Sequence, residues 1–210
     1  MSKIQKIAII DYDVGNVKSV LNAIESIGNF KPLVTKNPID IVDSDCIILP
    51  GVGAFGAAMN ALNKSGLIPI ISDQVFKKKK PILGICVGFQ VLFESSEEDN
   101  EKGLGWLPGK VIHFNESYDI SVPHFGWNDI IIKNNDWLFD GIEKNSSFYF
   151  AHSYHAVSDE SVLVATCNHG YDFPVFVRKE NIYAAQFHPE KSHKSGLRLL
   201  KNFITYSSKN

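Results

Sequence analysis

Apolar residues in this chain follow two rhythms. Short unbroken runs at 7–10, 46–49 and 81–85 alternate with stretches in which apolar residues return every three or four positions. Runs of that length suit strands buried on both faces, and the helical period suits helices packed along one side. The first half therefore reads as strand 7–10, helix 17–27 (Val17, Val20, Leu21, Ile24 and Ile27 on one face), strands 31–35 and 46–49, helices 54–62 and 67–79, strand 81–85 and helix 87–93. The second half is richer in extended segments, at 110–114, 128–133, 148–156, 162–167, 175–178 and 182–187. A last helix, 195–206, has Leu197, Leu200, Phe203 and Ile204 on one face. Strands alternating with helices predict a parallel sheet covered on both faces. The expected fold is α/β: a doubly wound, mostly parallel sheet with helices on both faces and an added antiparallel portion, in one domain over 1–210.

Composition narrows the function classes. A chain of 210 residues with 44% hydrophobic and 11% aromatic residues supports a packed core. A formal net charge of -2 gives no electrostatic grip on nucleic acid or an anionic membrane. The one basic cluster, 77–80, reads as a solvated helix end. Three widely spaced cysteines, Cys46, Cys86 and Cys167, argue against a disulfide framework and for a reducing cytoplasm. The apolar run near the N-terminus is too short for a signal peptide, and no stretch is long enough to span a bilayer.

The sharpest local pattern is Gly84-Ile85-Cys86-Val87-Gly88, where a strand runs straight into a helix. A nucleophile on such an elbow is lifted above the sheet edge, and the glycines remove side chains that would collide there. The helix start favours a thiolate and supplies a backbone N–H to an oxyanion. Cys46 and Cys167 lie inside apolar strands without an elbow and read as core. A thiol also needs a base held by a third group. His188 and Glu190, in Gln186-Phe187-His188-Pro189-Glu190, follow another strand end and so reach the same edge of the sheet. Leu49-Pro50-Gly51-Val52-Gly53 closes a third strand; there the N–H of Val52 or Gly53, with that of Val87, is the expected oxyanion hole. His152 and His155 fall in a segment read as a single strand and are placed on opposite faces. No His, Cys, Asp or Glu set has metal-ligand spacing, so neither metal nor cofactor is expected.

The order PGVG, GICVGFQ, FHPEKS resembles that of the class I (triad) glutamine amidotransferases. The resemblance implies glutamine hydrolysis with Cys86 as nucleophile, His188 as base and Glu190 as its orienter. It also implies a glutamine pocket formed by Gly51, Gln90, Glu98, Ser153 and Tyr154. The segments 11–16, 123–128 and 148–154 are similar to those of the branch that serves as glutaminase subunit of imidazole glycerol phosphate synthase. That branch implies a cyclase partner with a (β/α)8 barrel, met through Asn16, Trp127, Tyr149 and Lys191. Val87, Phe89 and Phe125 depart from the residues common in that branch. They leave open a paralogous branch that supplies ammonia for amidination of a surface-polysaccharide sugar.

A partner is expected on other grounds too. The elbow, loop and His-Pro-Glu segment span 51–190, and little chain remains to bind an ammonia acceptor. There is no P-loop or dinucleotide fingerprint. A glutaminase left to run freely would also waste glutamine, so activity gated by acceptor binding, through the Gly51-Val52 peptide, is expected.

Overall fold

The computed structural model describes residues 5–134 and 136–207. The first half builds β1 (Lys6–Ile10), α1 (Val17–Ser26), β2 (Lys31–Thr35), α2 (Pro38–Asp43), β3 (Cys46–Gly51), α3 (Phe55–Ser65), α4 (Ile68–Ser72), β4 (Ile82–Cys86) and α5 (Val87–Gln90). After two short strands, β5 (Ser95–Ser96) and β6 (Glu101–Lys102), come β7 (Lys110–His113), β8 (His124–Ile132), β9 (Ser147–His152), β10 (Tyr154–Val157), β11 (Leu163–His169), β12 (Tyr171–Lys179), β13 (Ile182–Ala185) and α6 (His193–Tyr206).

The main sheet has nine strands in the order β2-β1-β3-β4-β13-β12-β11-β8-β9. Pairing is parallel from β2 to β13 and antiparallel from there to β9. Every residue of β3 and β4 is buried, as strands covered on both faces require, whereas β8 alternates between buried and more exposed positions. The chain reverses direction across the sheet after β2. With right-handed crossovers this puts α1 on one face and α2 to α4 on the other. A second sheet, β10-β7-β5-β6, stands beside the antiparallel end.

Several expectations are corrected. Helix α2 was not foreseen, although Asn37 caps it by accepting from the Ile39 N–H and Pro38 starts it. The helix expected over 67–79 is α4 followed by a π turn, Asp73–Lys77. The helix expected over 87–93 stops at Gln90. The carbonyls of Val91, Leu92 and Phe93 accept instead from Leu104, Trp106 and Gly105, so a returning segment takes the bonds a longer helix would need. The strand expected over 148–156 breaks at Ser153, where the chain leaves β8 and joins β7 in the second sheet. His152 and His155 therefore do not face apart: both pack on the Phe114 ring, with centroids 5.3 and 4.7 Å away.

The lysine run is only partly a solvated end. Lys77 pairs with Asp73 and Lys79 with Glu180, but Lys80 is buried. Its ammonium donates to the Ile41 and Val42 carbonyls at 2.6 and 2.8 Å, closing the C-terminal end of α2. Cys46 and Cys167 are buried in β3 and β11, and burial pushes both thiols up to about 12.

Candidate active site

β3, β4 and β13 are neighbours in the sheet, and their carboxyl ends carry the three segments singled out above. Adjacency in the sheet thus sets the Gly51 loop on one side of Cys86 and His188 on the other.

Cys86 is the last residue of β4 and has φ 55 and ψ -110, a conformation rare for a residue with a Cβ. Tight backbone packing imposes it. A Cβ on Gly84 would lie 2.6 Å from the Gly88 oxygen, one on Gly88 1.9 Å from the Leu49 oxygen, and one on Gly51 2.6 Å from the Gly88 nitrogen. Strand, elbow and loop touch through bare backbone, and no other residue fits at these positions. Helix α5 is a single turn, so the field behind the sulfur is that of local N–H groups rather than a long macrodipole.

His188 Nδ1 lies 2.9 Å from Glu190 Oε1, and the ring lines the same pocket as Cys86. Burial opposes a charge on this imidazole. The neighbouring Cys86 and Glu190 side chains outweigh burial and push it up to about 10. The backbone around it is fixed as firmly: the His188 N–H donates to the Tyr149 carbonyl at 2.9 Å, and the Ser192 hydroxyl donates to the His188 carbonyl at 2.6 Å. The same hydroxyl accepts from the Tyr149 N–H at 3.0 Å. No local pattern marks Ser192 for this role, because its partner on β9 is far away in the chain.

A pocket of about 390 Å³ opens onto Cys86 and His188. Val52, Gly53, Val87, Gln90, Glu98, Ser153, Tyr154 and Lys191 all line it. Gly51 does not; it is buried beneath the loop, against Tyr12 and the elbow. The Gln90 amide nitrogen donates to the Tyr154 carbonyl and to Gln186 Oε1, at 3.0 and 3.1 Å, which leaves its oxygen as the group to offer a ligand. Glu98 Oε2 accepts from the Phe55 N–H at 2.8 Å. Burial and then the nearby Glu98 carboxylate raise the Tyr154 phenol.

Behind this wall runs a chain of imidazoles. Asn128 Nδ2 lies 3.1 Å from His124 Nε2, His124 Nδ1 lies 3.1 Å from His152 Nε2, and His152 Nδ1 lies 2.8 Å from the Tyr154 carbonyl. Only one set of tautomers satisfies every contact: both rings neutral, each donating from Nδ1. Burial holds His124 down to about 4 and His152 well below its ordinary value. None of the histidine, cysteine and acidic groups among the described residues clusters as metal ligands do.

At the rim, Phe125 is 70% and Trp127 47% exposed. Trp127 stacks on His193 and meets the Tyr149 edge, and the Lys191 ammonium sits 5.5 Å over the Tyr149 ring. Three of the four residues expected at a partner surface thus form one patch. Asn16 caps α1 by accepting from the Ser19 N–H; α1 itself lies against the Pro189–Lys191 turn.

The family model "Glutamine amidotransferase class-I" matches residues 8–206. A relative in Vibrio vulnificus (strain YJ016), named imidazole glycerol phosphate synthase subunit HisH 2, is 46% identical over 96% of this chain and 94% of its own. A Pseudomonas aeruginosa PAO1 protein of the same name is 44% identical over 94% of this chain and 98% of its own. Among solved structures, that of PurLQS from Thermotoga maritima superposes with a TM-score of 0.73 at 23% identity, covering 97% of this chain and 99% of that one, and so shares the fold. Sequence, fold and family model agree, and the chain belongs to the class I glutamine amidotransferases.

Proposed function

We propose that this chain is the glutaminase subunit of an imidazole glycerol phosphate synthase, hydrolysing glutamine with Cys86, His188 and Glu190. The observation that carries the chemistry is the buried His188, hydrogen-bonded to Glu190 and set with Cys86 in the lining of one pocket. The names of the Vibrio and Pseudomonas relatives support the pathway.

In this reading the substrate's α-ammonium meets the Glu98 carboxylate and the Gln90 oxygen, and its side-chain amide reaches Cys86. The thiol proton rests on His188, and Cys86 Sγ attacks the amide carbon. The oxyanion that forms is met by N–H groups from Val52 or Gly53 and Val87. His188 returns the proton to the departing nitrogen, ammonia leaves, and a γ-glutamyl thioester remains. Water, deprotonated by His188, then attacks the thioester; glutamate departs and the thiol is restored. Glu190 holds the imidazole in one orientation throughout.

Ammonia is mostly protonated in neutral water, so it must reach its acceptor along a sealed path. The patch of exposed Phe125, Trp127 and Lys191 with the half-buried Tyr149 borders the pocket mouth and is the surface offered to a cyclase subunit with a (β/α)8 barrel. That subunit would make imidazole glycerol phosphate and AICAR for histidine biosynthesis. A second reading keeps the chemistry and changes the acceptor to a surface-polysaccharide sugar; the departures at Val87, Phe89 and Phe125 leave room for it. The test is glutamate release by the purified chain alone, then with the histidine-pathway cyclase subunit from the same source, then with that subunit's nucleotide substrate as well. Strong stimulation only in the full mixture supports the histidine-pathway reading. A cyclase subunit that neither binds nor stimulates overturns it in favour of the sugar reading.

A further inference from the structure

The loop facing His188 across the pocket is pinned by a side chain at each end. At its start the Tyr12 hydroxyl donates to the Pro50 carbonyl at 2.7 Å, with Tyr12 only 1% exposed. At its end the Phe55 N–H donates to Glu98 Oε2 at 2.8 Å. The span between is loosely held: Val52 is 38% exposed, and Gly53 has φ +87 with nothing within 4 Å of where a Cβ would sit. Its direction therefore depends on the two pins.

The first pin sits at an informative place. Pro50 pairs with Ile85 and Gly51 with Cys86, so the peptide joining Pro50 to Gly51 is the last one that the β3–β4 ladder orients. On the other side of β3 the β1 ladder has already ended, and the next N–H, that of Asp11, turns to Thr35 on β2. Tyr12 adds one more rung to the β1 side with a side chain. Its hydroxyl also lies 2.7 Å from where a Cβ on Gly51 would sit, so the loop leaves the sheet directly over the phenol oxygen. Burial, and then the charge of the nearby Cys86, raise the Tyr12 phenol, so the hydroxyl keeps its proton and remains a donor.

On the glutaminase reading above, we propose that Tyr12 is a positioning residue for the oxyanion hole. Through the Pro50 carbonyl it sets the direction in which Val52 and Gly53 present their N–H groups, while Glu98 holds the far end of the loop. Tyr12 itself touches neither the substrate nor the bonds that change.

The test is Tyr12→Phe, which removes one oxygen and keeps the ring. Glutamate release should fall about tenfold in kcat with KM within about twofold, a weaker form of the roughly hundredfold loss on deleting an oxyanion donor outright. Alkylation of Cys86 by iodoacetamide, read by peptide mass, forms no oxyanion and should keep its rate within about twofold. An unchanged kcat overturns the proposal. So does an equal fall in alkylation, which would mean that the elbow itself had been disturbed. A second variant covers the case in which Tyr12→Phe fails to fold: Glu98→Ala should lower kcat as well as raise KM. A rise in KM alone would limit Glu98 to gripping substrate and would contradict the two-pin arrangement. Wild-type protein that releases no glutamate, with or without the partner, would sink the glutaminase reading itself, whereas active wild type with an equally active Tyr12→Phe sinks only this proposal.

Discussion

The two flanks of Cys86 hold the site by different means. On the β3 side, backbone lies directly on backbone: Gly51, Gly84 and Gly88 leave no room for a single added carbon. On the β13 side, side chains make the joints. Glu190 and Ser192 hold His188, and a chain of neutral imidazoles backs the wall that carries Ser153 and Tyr154. The first flank is stiff where Gly51, Gly84 and Gly88 are close-packed, so those positions tolerate no change in volume. The second is directional, so it tolerates small changes in volume but depends on each donor and acceptor keeping its role.

The comparison is broken most severely by a methyl group on the first flank. Gly88→Ala would put its Cβ 1.9 Å from the Leu49 oxygen, a clash with main chain that no rotamer relieves. It should destabilise the protein by about 3 kcal/mol or more, seen in urea unfolding, and abolish glutaminase activity in whatever folds. A loss within 1 kcal/mol (roughly that of an ordinary surface change) would show that the flank is not close-packed.

Next comes the rim. Trp127→Ala should leave the isolated chain's unfolding midpoint nearly unchanged while weakening cyclase binding by about 2 kcal/mol in calorimetry, as expected for an exposed aromatic anchor. Equal binding would remove the aromatic patch from the interface.

On the second flank, Ser192→Ala deletes a hydroxyl that serves both His188 and Tyr149. The expected cost is about 1–3 kcal/mol of stability, with kcat reduced because the base is less well aimed. An unchanged kcat would reduce Ser192 to a purely structural role.

The smallest effect is the most specific to the second flank. His124 titrates near 4 in the folded protein, below its ordinary value of 6.5. Between those values the unfolded chain binds a proton that the folded one refuses, so stability is complete above about pH 6.5 and is lost as pH falls towards 4. His152 and His155 are shifted in the same direction. The melting temperature should drop by a few degrees, about 3 °C or more, across that window, and His124→Asn should flatten the slope. A melting temperature that does not move with pH in this range would contradict the neutral-imidazole chain.

The first flank was legible in the sequence and most of the second was not, for the same reason. Gly84, Cys86 and Gly88 declare a strand meeting a helix within five consecutive residues, and His188 and Glu190 are two apart, so local pattern carries them. The parallel core was legible too, because strands buried on both faces appear as unbroken apolar runs. The imidazole chain joins residues 28 apart, and Lys80 finds the Ile41 carbonyl 39 residues away. No periodicity reports such distances. The break at Ser153 is of the same kind: it exists because β7 offers a new neighbour, and Tyr154 pairs there with His113. Tyr12 was within view as part of the segment after β1, but its role depends on the close approach of Gly51, which only the folded sheet reveals.

The most direct test of the account is covalent. A chloroketone analogue of glutamine should be captured by the one cysteine that faces both His188 and the pocket. The measurement is peptide mapping by mass after incubation, with glutamate release followed in parallel. The account predicts label on Cys86, with loss of glutaminase activity in step with labelling, protection by glutamine, and neither label nor activity in Cys86→Ala. Label on Cys46 or Cys167, or glutamate release that survives in Cys86→Ala, would contradict it.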